Sequence, residues 1–302
     1  MSLLVLQPGI ESRIVDLGRS RTRSLGIAIG GAADRRSYAL GNALVGNPPD
    51  TAALEIALMG PRLRAEATLG CVLFGAPFDV HLDGYRIGTD HAFTMHPGAE
   101  LQIGGAALGM RAYLCVRGGF DVPTILASRS AFAPIKEGDL LPSVPGTVPS
   151  RYCPYLGWTD APALIVAALP GLQSDWFREE EFYAQTFVVT PASNRMGLRV
   201  KGTPLSMPQR EMLSEPVCPG AVQVTPDGQC IVLGVDGQTI GGYPKIAQVI
   251  GADLDALGQL RPGQSMRFTK ITMADAIQRD RRLRSELREW TRRLRLSLDA
   301  FP

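Results

Sequence analysis

Residues 214–245 read SEPVCPGAVQVTPDGQCIVLGVDGQTIGGYPK, and this stretch decides the fold class. Glycine and proline interrupt it too often for a helix, and its apolar run Ile231–Val235 is typical of a short β-strand. Gly241 and Gly242 follow that strand, and a glycine pair lets a backbone approach a ligand closely. We therefore expect strands joined by tight turns that carry polar side chains. The alternative is a hairpin with a solvated tip.

The composition of the 302 residues is that of a globular protein, with 45% hydrophobic and 20% charged residues. The 33 glycines and 23 prolines favour many short strands over a helix bundle. A net charge of +2 argues against a nucleic-acid partner. Five widely spaced cysteines predict reduced thiols in a cytoplasmic protein. The opening residues MSLLVLQPGI predict neither a signal peptide nor a membrane partner.

Strand-like segments dominate both halves of the chain, so we predict a mainly β protein with a few helices. The predicted domains are a first β-barrel subdomain over residues 1–145, a second over residues 146–271 and a C-terminal helix over residues 272–302. The proline-dense stretch Pro142–Pro162 marks the crossover between the two barrels.

Four local predictions can be compared directly with a structure. Asp34 is placed to cap a helix that runs to Leu44. Arg62–Glu66 and Cys71–Phe74 are predicted to pair as a hairpin, and Asp83–Gly84 is a hairpin turn. A second helix is predicted over Ser174–Gln185.

The C-terminal residues show apolar side chains at near-helical spacing with arginines between them, which predicts an amphipathic helix. We expect its apolar stripe to pack on the protein body. Contact with a membrane or a partner is the alternative.

Several catalytic motifs are missing from the sequence. It has no phosphate-binding P-loop, no dinucleotide-binding glycine pattern, no H-E-x-x-H zinc motif and no G-x-S-x-G nucleophile elbow. The three histidines lie close together along the chain, but we expect them on the surface and predict no metal site.

Four segments carry polar residues among glycines: DLGR at 16–19, GGAADRRSYALGNALVGN at 30–47 with AALEIALMG at 52–60, SNRMG at 193–197, and the opening stretch extended to Gly263. In this order they resemble the carboxyltransferase subdomain A and B family, also called allophanate hydrolase subunit 2. The resemblance covers roughly residues 3–275. It implies two cyclophilin-like β-barrels and a partner protein, the subunit 1 homologue, which corresponds to the B subunit of 5-oxoprolinase.

The resemblance implies one of two reactions. The first, which we favour, is the ATP- and Mg-dependent opening of 5-oxoproline to glutamate, in which the chain would serve as the C subunit of a 5-oxoprolinase-like hydrolase. The second is transfer of a carboxyl group from carboxybiotin held by a partner. A third possibility is a regulator that binds the subunit 1 homologue without chemistry. The family's glycine-rich stretch is missing between Ala127 and Pro142, which favours this third possibility.

Both reactions polarise an amide-like carbonyl, which needs fixed hydrogen-bond donors and an acid or base. The predicted catalytic residues are Asp236 as a general base or amine anchor, Gln238 as a donor and Tyr243 as a proton donor. The predicted binding residues are Gln223, Thr239, Gly241, Gly242, Lys245, Arg195, Asp34 and Asn42.

Structural roles stay open for five of these residues. They are a turn cap for Asp236, bonds to barrel backbone for Gln223, a solvated charge for Lys245, a helix cap for Asp34, and an ion pair with Glu215 for Arg195.

Overall fold

The structure is a computed structural model that describes residues 2–154 and 163–299, with side chains up to residue 296. Part of the predicted crossover and the last residues of the tail lie outside the described residues. The α-helices are α1 (Arg35–Leu44), α2 (Glu179–Tyr183), α3 (Leu254–Leu257) and α4 (Met273–Asp299).

The described part of the chain also contains twenty β-strands. The first eleven are β1 (Ser2–Gln7), β2 (Glu11–Val15), β3 (Ala53–Ala57), β4 (Arg62–Ala65), β5 (Leu69–Gly75), β6 (Phe78–Leu82), β7 (Tyr85–Ile87), β8 (Ala92–Met95), β9 (Glu100–Ala106), β10 (Arg111–Val116) and β11 (Leu140–Pro142). The remaining nine are β12 (Leu164–Pro170), β13 (Phe187–Val189), β14 (Gly197–Lys201), β15 (Glu215–Pro216), β16 (Ala221–Val224), β17 (Cys230–Leu233), β18 (Ile240–Gly241), β19 (Lys245–Val249) and β20 (Ser265–Lys270).

The chain divides into two compact units, and each unit is built from separate stretches of sequence. Unit 1 comprises Met1–Arg19, Asp34–Thr159 and Glu286–Pro302. Unit 2 comprises Ser20–Ala33 and Asp160–Ser285. The contiguous boundaries predicted from the sequence do not anticipate that residues 20–33 group with the second half of the chain.

Unit 1 contains two antiparallel sheets around one core. The six-stranded sheet has the order β11-β1-β4-β9-β6-β7, and the five-stranded sheet has the order β2-β3-β10-β5-β8. Apolar side chains of both sheets, among them Leu3 and Leu54, form a single buried cluster. We expected a closed barrel in this half and find this pair of sheets.

The hairpin predicted between β4 and β5 is wrong, because these strands belong to different sheets. Each finds its partners elsewhere, β4 with β1 and β9, and β5 with β8 and β10. The hairpin predicted at Asp83–Gly84 is confirmed between β6 and β7. Both turn residues have positive φ, as a two-residue hairpin turn requires.

Unit 2 contains a closed seven-stranded barrel with the order β12-β19-β16-β17-β14-β13-β20, as predicted. The helix predicted over Ser174–Gln185 is interrupted. A 3-10 turn covers Ser174–Trp176, then Phe177 and Arg178 take extended backbone angles before α2 begins. The interruption lets Phe177 and Phe182 both pack into the barrel core, and their burial outweighs the local helix preference.

The predicted C-terminal helix is confirmed as α4. Few apolar side chains of α4 are buried: Ala276 and Leu294 are buried, whereas Met273 and Ile277 remain exposed. Within the described residues, no helix combines the length and apolarity needed to span a membrane.

Candidate functional site

A cluster of polar side chains lies on the barrel of unit 2, where β16 and β19 run side by side. Gln223 of β16 and Lys245 of β19 are direct partners across the ladder, next to an irregularity in the register. Both residues are buried, with whole-residue relative exposures of 1% and 5%. Two polar groups at this depth need a compensating partner or a ligand.

The short ribbon of β15 and β18 brings the glycine pair to this cluster, since Glu215 pairs with Gly241. A Cβ atom added at Gly241 would lie 2.3 Å from Gln223 Nε2 and 3.0 Å from Gln238 Nε2. A side chain at position 241 would therefore displace the amide ends of these two glutamines. Two side-chain amides, one buried and one exposed, approach the same face of its backbone.

The buried amide of Gln223 has an unused donor. No described residue lies in hydrogen-bond geometry with its Nε2 atom. An unpaired buried donor costs about 1–3 kcal/mol. This deficit marks Nε2 as a position where a ligand oxygen would be stabilised, and it counts against the alternative in which the Gln223 amide donates to barrel backbone.

The ammonium of Lys245 forms an ion pair with Glu215, at 2.7 Å between Nζ and Oε2. The angle is too oblique for a good hydrogen bond, so Nζ keeps donors to spare. The Lys245 side chain is 7% exposed and that of Glu215 is 37% exposed. The solvated-charge alternative for Lys245 is therefore wrong.

Gln173 contacts both members of this ion pair. Its side-chain oxygen accepts from the Lys245 backbone N–H at 3.0 Å, and its own backbone N–H donates to the Lys245 carbonyl at 3.1 Å. Its Nε2 lies 3.4 Å from both carboxylate oxygens of Glu215. The close contact with the Lys245 ammonium lowers the pKa of Glu215, assisted by the lysine charge and by Gln173 and opposed by burial.

A second ion pair of unit 2 joins two other predicted site residues. Arg195 donates from Nε to Asp236 Oδ2 at 2.7 Å and from a terminal nitrogen to Oδ1 at 3.0 Å. The same nitrogen donates to the Gly31 carbonyl at 2.7 Å. The alternative that pairs Arg195 with Glu215 is wrong. The role of Asp236 as a general base stays a prediction. Both of its carboxylate oxygens accept hydrogen bonds from Arg195.

This second pair clamps residues 20–33 to unit 2. Gly30, in the same loop as Gly31, donates its N–H to the Val235 carbonyl at 2.9 Å. The Asp236 N–H in turn donates to the Arg195 carbonyl at 3.1 Å. The Arg195–Asp236 pair thus fixes the turn after β17.

The other predicted residues of this stretch have diverse surroundings. Thr239 is buried and its carbonyl accepts from the Val217 N–H. Gly242 is exposed, and a Cβ there would lie 3.3 Å from Ser214 Oγ. The Tyr243 side chain is 40% exposed and open to solvent.

Asp34 and Asn42 belong to unit 1 and have structural contacts there. Asp34 caps α1, since its carboxylate accepts from the N–H and the hydroxyl of Ser37. Asn42 is fully buried, donates to the Thr51 carbonyl and accepts from the Asn47 side chain. The cap predicted for Asp34 is confirmed, and the binding role of both residues stays a prediction.

Asp16, in the DLGR segment, is held by residues 128–130. Its carboxylate accepts from the hydroxyls of Ser128 and Ser130, both at 2.6 Å, and from the N–H groups of Gly18 and Arg129. Burial acts to raise the pKa of Asp16, and these four hydrogen bonds together lower it below its ordinary value. The segment after Ala127 therefore holds the C-terminal end of β2 in unit 1.

Sequence reasoning missed Gln173 and Glu215 as members of the cluster. Glu215 lies within the opening stretch, but the sequence suggested it only as a partner for Arg195. Gln173 lies 72 residues from Lys245, in a segment with no motif. Only the closure of the barrel brings them together.

The cluster presents amide and ammonium donors, which suit an oxyanion or a carboxylate. Within residues 2–154 and 163–299, no group of three or more His, Cys, Asp or Glu side chains is placed to hold a metal ion.

Comparison with known proteins gives one family match. The model of the carboxyltransferase domain, subdomain A and B, matches residues 25–270. The chain is 34% identical to the C subunit of the 5-oxoprolinase of Escherichia coli over 292 residues, which cover 91% of this chain and 93% of that protein.

Larger proteins contain a similar region. The chain is 29% identical to the urea amidolyase of Saccharomyces cerevisiae over 88% of its own length, but spans only 16% of that protein. The crystal structure of the K. lactis urea amidolyase superposes with a TM-score of 0.89 and 26% identity, covering 96% of this chain and 20% of that one.

Proposed function

Because this chain belongs to the carboxyltransferase subdomain A and B family, we propose that it is a component of an ATP-dependent lactam hydrolase and corresponds to the C subunit of 5-oxoprolinase. It would act with a separate subunit 1 homologue. The match to the Escherichia coli protein supports this reading, because it extends over 93% of that protein. The same chain spans only 16% of the yeast urea amidolyase.

The observation that carries the proposal is the set of donors around Gly241. Gln223 Nε2 is buried and unpartnered among the described residues, and Gln238 Nε2 approaches the same face of the glycine. The buried Lys245 ammonium lies on the neighbouring strand. Such fixed donors are suited to a carbonyl oxygen that gains charge during reaction.

Ring opening of 5-oxoproline adds water across the lactam C–N bond. A C–O bond forms at the carbonyl carbon, the C–N bond breaks, and the amine leaves with a proton as glutamate is produced. Addition of water moves negative charge onto the lactam oxygen. In this proposal one N–H of the Gln223 amide and the Gln238 amide donate to that oxygen, the other Gln223 N–H faces the substrate carboxylate, and Lys245 balances the negative charge of the substrate.

ATP with Mg enters this proposal as a co-substrate: a second water would hydrolyse it to ADP and phosphate as the ring opens, and the partner would contribute to binding it. The described residues offer donors for anions but no three-ligand acidic cluster for the metal. Arg195 and Asp236 are assigned a positioning role, because their mutual ion pair fixes the turn that leads to Gln238. The five cysteines are free, which supports a cytoplasmic location.

Reconstitution tests the proposal. The chain is mixed with its subunit 1 homologue, the third component, 5-oxoproline, ATP and Mg²⁺, and glutamate is measured. We expect glutamate formation that requires this chain and is lost when it is omitted. A well-folded complex that yields no glutamate above background would contradict the proposal. Tight binding of the subunit 1 homologue without turnover would instead support the regulator.

The second candidate is a biotin-dependent carboxyltransferase component, favoured by the likeness to the K. lactis urea amidolyase. Carboxybiotin, held by a partner, would supply an activated carboxyl group. Gln223 and Lys245 fit such a group, since both present buried donors to an anion. Carboxyl transfer to urea from a carboxylated biotin carrier, with no action on 5-oxoproline, would favour this candidate.

A further inference from the structure

We propose that Glu215 is an internal placeholder for a ligand carboxylate: its side chain occupies a carboxylate site on Lys245, and an incoming monocarboxylate displaces it. This inference deepens the proposed function, because it concerns the same cluster. It assigns a role to a residue that the sequence did not mark as functional.

The two members of the ion pair differ in burial, and this difference points to exchange. Lys245 is 7% exposed and fixed, whereas Glu215 is 37% exposed at the outer side of the pair. Glu215 can turn outward and regain full hydration, but Lys245 cannot. A buried ammonium left alone is costly, so it must keep an anion beside it.

The donors around the Glu215 carboxylate exceed what it uses. Lys245 Nζ contacts one oxygen at an oblique angle, and Gln173 Nε2 lies at a long 3.4 Å from both. Gln223 Nε2, on the strand beside Lys245, remains without a partner among the described residues. A free carboxylate is not tied to a backbone, so it can take better angles to these donors than Glu215 does.

The rest of the site does not depend on the Glu215 side chain. Gln173 binds the Lys245 backbone on both its N–H and its carbonyl, which holds the base of the ammonium side chain. The β16–β19 ladder holds Gln223 opposite Lys245. Departure of the Glu215 side chain would leave a formed site of three donors.

The ligand class follows from this chemistry. One carboxylate leaves and one enters, so the net charge of the site is unchanged, which favours a monocarboxylate over a dianion. A lactam acid such as 5-oxoproline has this charge, and its ring carbonyl is a second acceptor for the Gln238 amide and for the N–H of Gln223 that the carboxylate does not use.

The test uses propionate as the probe and propionamide as its neutral counterpart, titrated into the full-length chain by calorimetry. Glu215→Gln removes the internal carboxylate but keeps its shape. We expect propionate to bind this variant at least about tenfold more tightly than the wild type, because no internal anion competes. Propionamide should not discriminate between the two proteins.

Two further variants keep the test decisive. Glu179→Gln removes the acid of the exposed Lys270–Glu179 pair, which has the same 2.7 Å separation and lies in the same unit. It should leave propionate binding unchanged. Glu215→Gln with Lys245→Gln should abolish the gain. If Glu215→Gln folds poorly because of its unpaired lysine, propionate should raise its melting temperature more than that of the wild type.

Equal propionate affinity in the wild type and Glu215→Gln, or equal gains in Glu215→Gln and Glu179→Gln, would overturn the placeholder role. The outcome is independent of catalysis, because the probe is not a substrate and no partner is present. Glutamate formation without a propionate effect would refute only the placeholder. A propionate effect without glutamate formation would refute only the hydrolase.

Discussion

Among the described residues of unit 2, two buried cations are each paired with an acid, and the two pairs differ in how many of the cation's donors are used. Arg195 donates to both oxygens of Asp236 and to the Gly31 carbonyl. Lys245 makes one oblique contact to Glu215, beside an unpartnered amide donor. The first pair holds a loop in place. The second retains donors for a ligand.

This comparison separates two roles that look alike in sequence. Arg195 in SNRMG and Lys245 in GGYPK each lie close in sequence to a glycine and to a polar residue. Buried charges are kept in folded proteins when they are paired, and paired charges can be purely structural. The number of unused buried donors, not the presence of a charge, distinguishes the candidate binding pair from the clamp.

The largest expected effect is on the clamp. Arg195→Ala would leave Asp236 and the Gly31 carbonyl without their shared donor, which we expect to destabilise the chain by about 3 kcal/mol. Residues 27–33 should lose protection from amide hydrogen exchange, first at Gly30. Arg199→Ala, on the exposed face of the adjacent strand, is the matched control. Unchanged protection at Gly30 in Arg195→Ala would show that the pair does not hold this loop.

The next effect concerns Gln223, the unpartnered donor beside the Lys245–Glu215 pair. Gly241→Ala places a Cβ 2.3 Å from Gln223 Nε2, so the buried amide must move. We expect about a hundredfold loss of glutamate formation in the reconstituted system, the scale of one lost oxyanion donor, with little change in melting temperature. Gly242→Ala has 3.3 Å to an exposed serine hydroxyl and should retain activity. Equal activity of both variants would remove Gln223 from the mechanism.

A smaller effect is expected for a fully satisfied carboxylate in unit 1. Asp16→Asn should cost about 2 kcal/mol at neutral pH, because four donors lose their acceptor charge. The lowered pKa of Asp16 means that its contribution is complete above the ordinary value of 3.8 and is lost as the pH falls through the folded value.

The free energies of unfolding of the wild type and Asp16→Asn, measured with urea, should therefore differ less below pH 3.8 than at neutral pH. Asp121→Asn, at an exposed acid of the same unit, is the matched control and should leave the free energy of unfolding at neutral pH nearly unchanged. A constant difference across this pH range would mean that the loss is steric.

The sequence predicted the elements whose signals are local. The Asp34 cap follows from an acid before a helical run, and the Asp83–Gly84 turn follows from backbone preference. The strand-rich second half closed into a barrel as expected. The wrong hairpin between β4 and β5 reflects long-range pairing, which neighbouring strands in sequence do not reveal.

The candidate site was predictable only where its residues share one stretch. Gln223 lies beside Lys245 in the β16–β19 ladder and beside Gly241 and Gln238 at the β15–β18 ribbon, and their role in binding stays a prediction. The partners of each charge were not predictable. Lys245 meets Glu215 and Gln173 only after the barrel closes, and the pairing of Arg195 with Asp236 depends on the turn after β17.

The most direct measurement follows the side-chain amide signals of ¹⁵N-labelled chain by NMR during titration with 5-oxoproline, with the Gln223 signal assigned by comparison with Gln223→Met. Our account predicts a saturable shift of the Gln223 amide protons, accompanied by Gln238, because a ligand oxygen takes the unused donor. A titration that leaves the Gln223 signal in place while other glutamine signals shift would contradict the account.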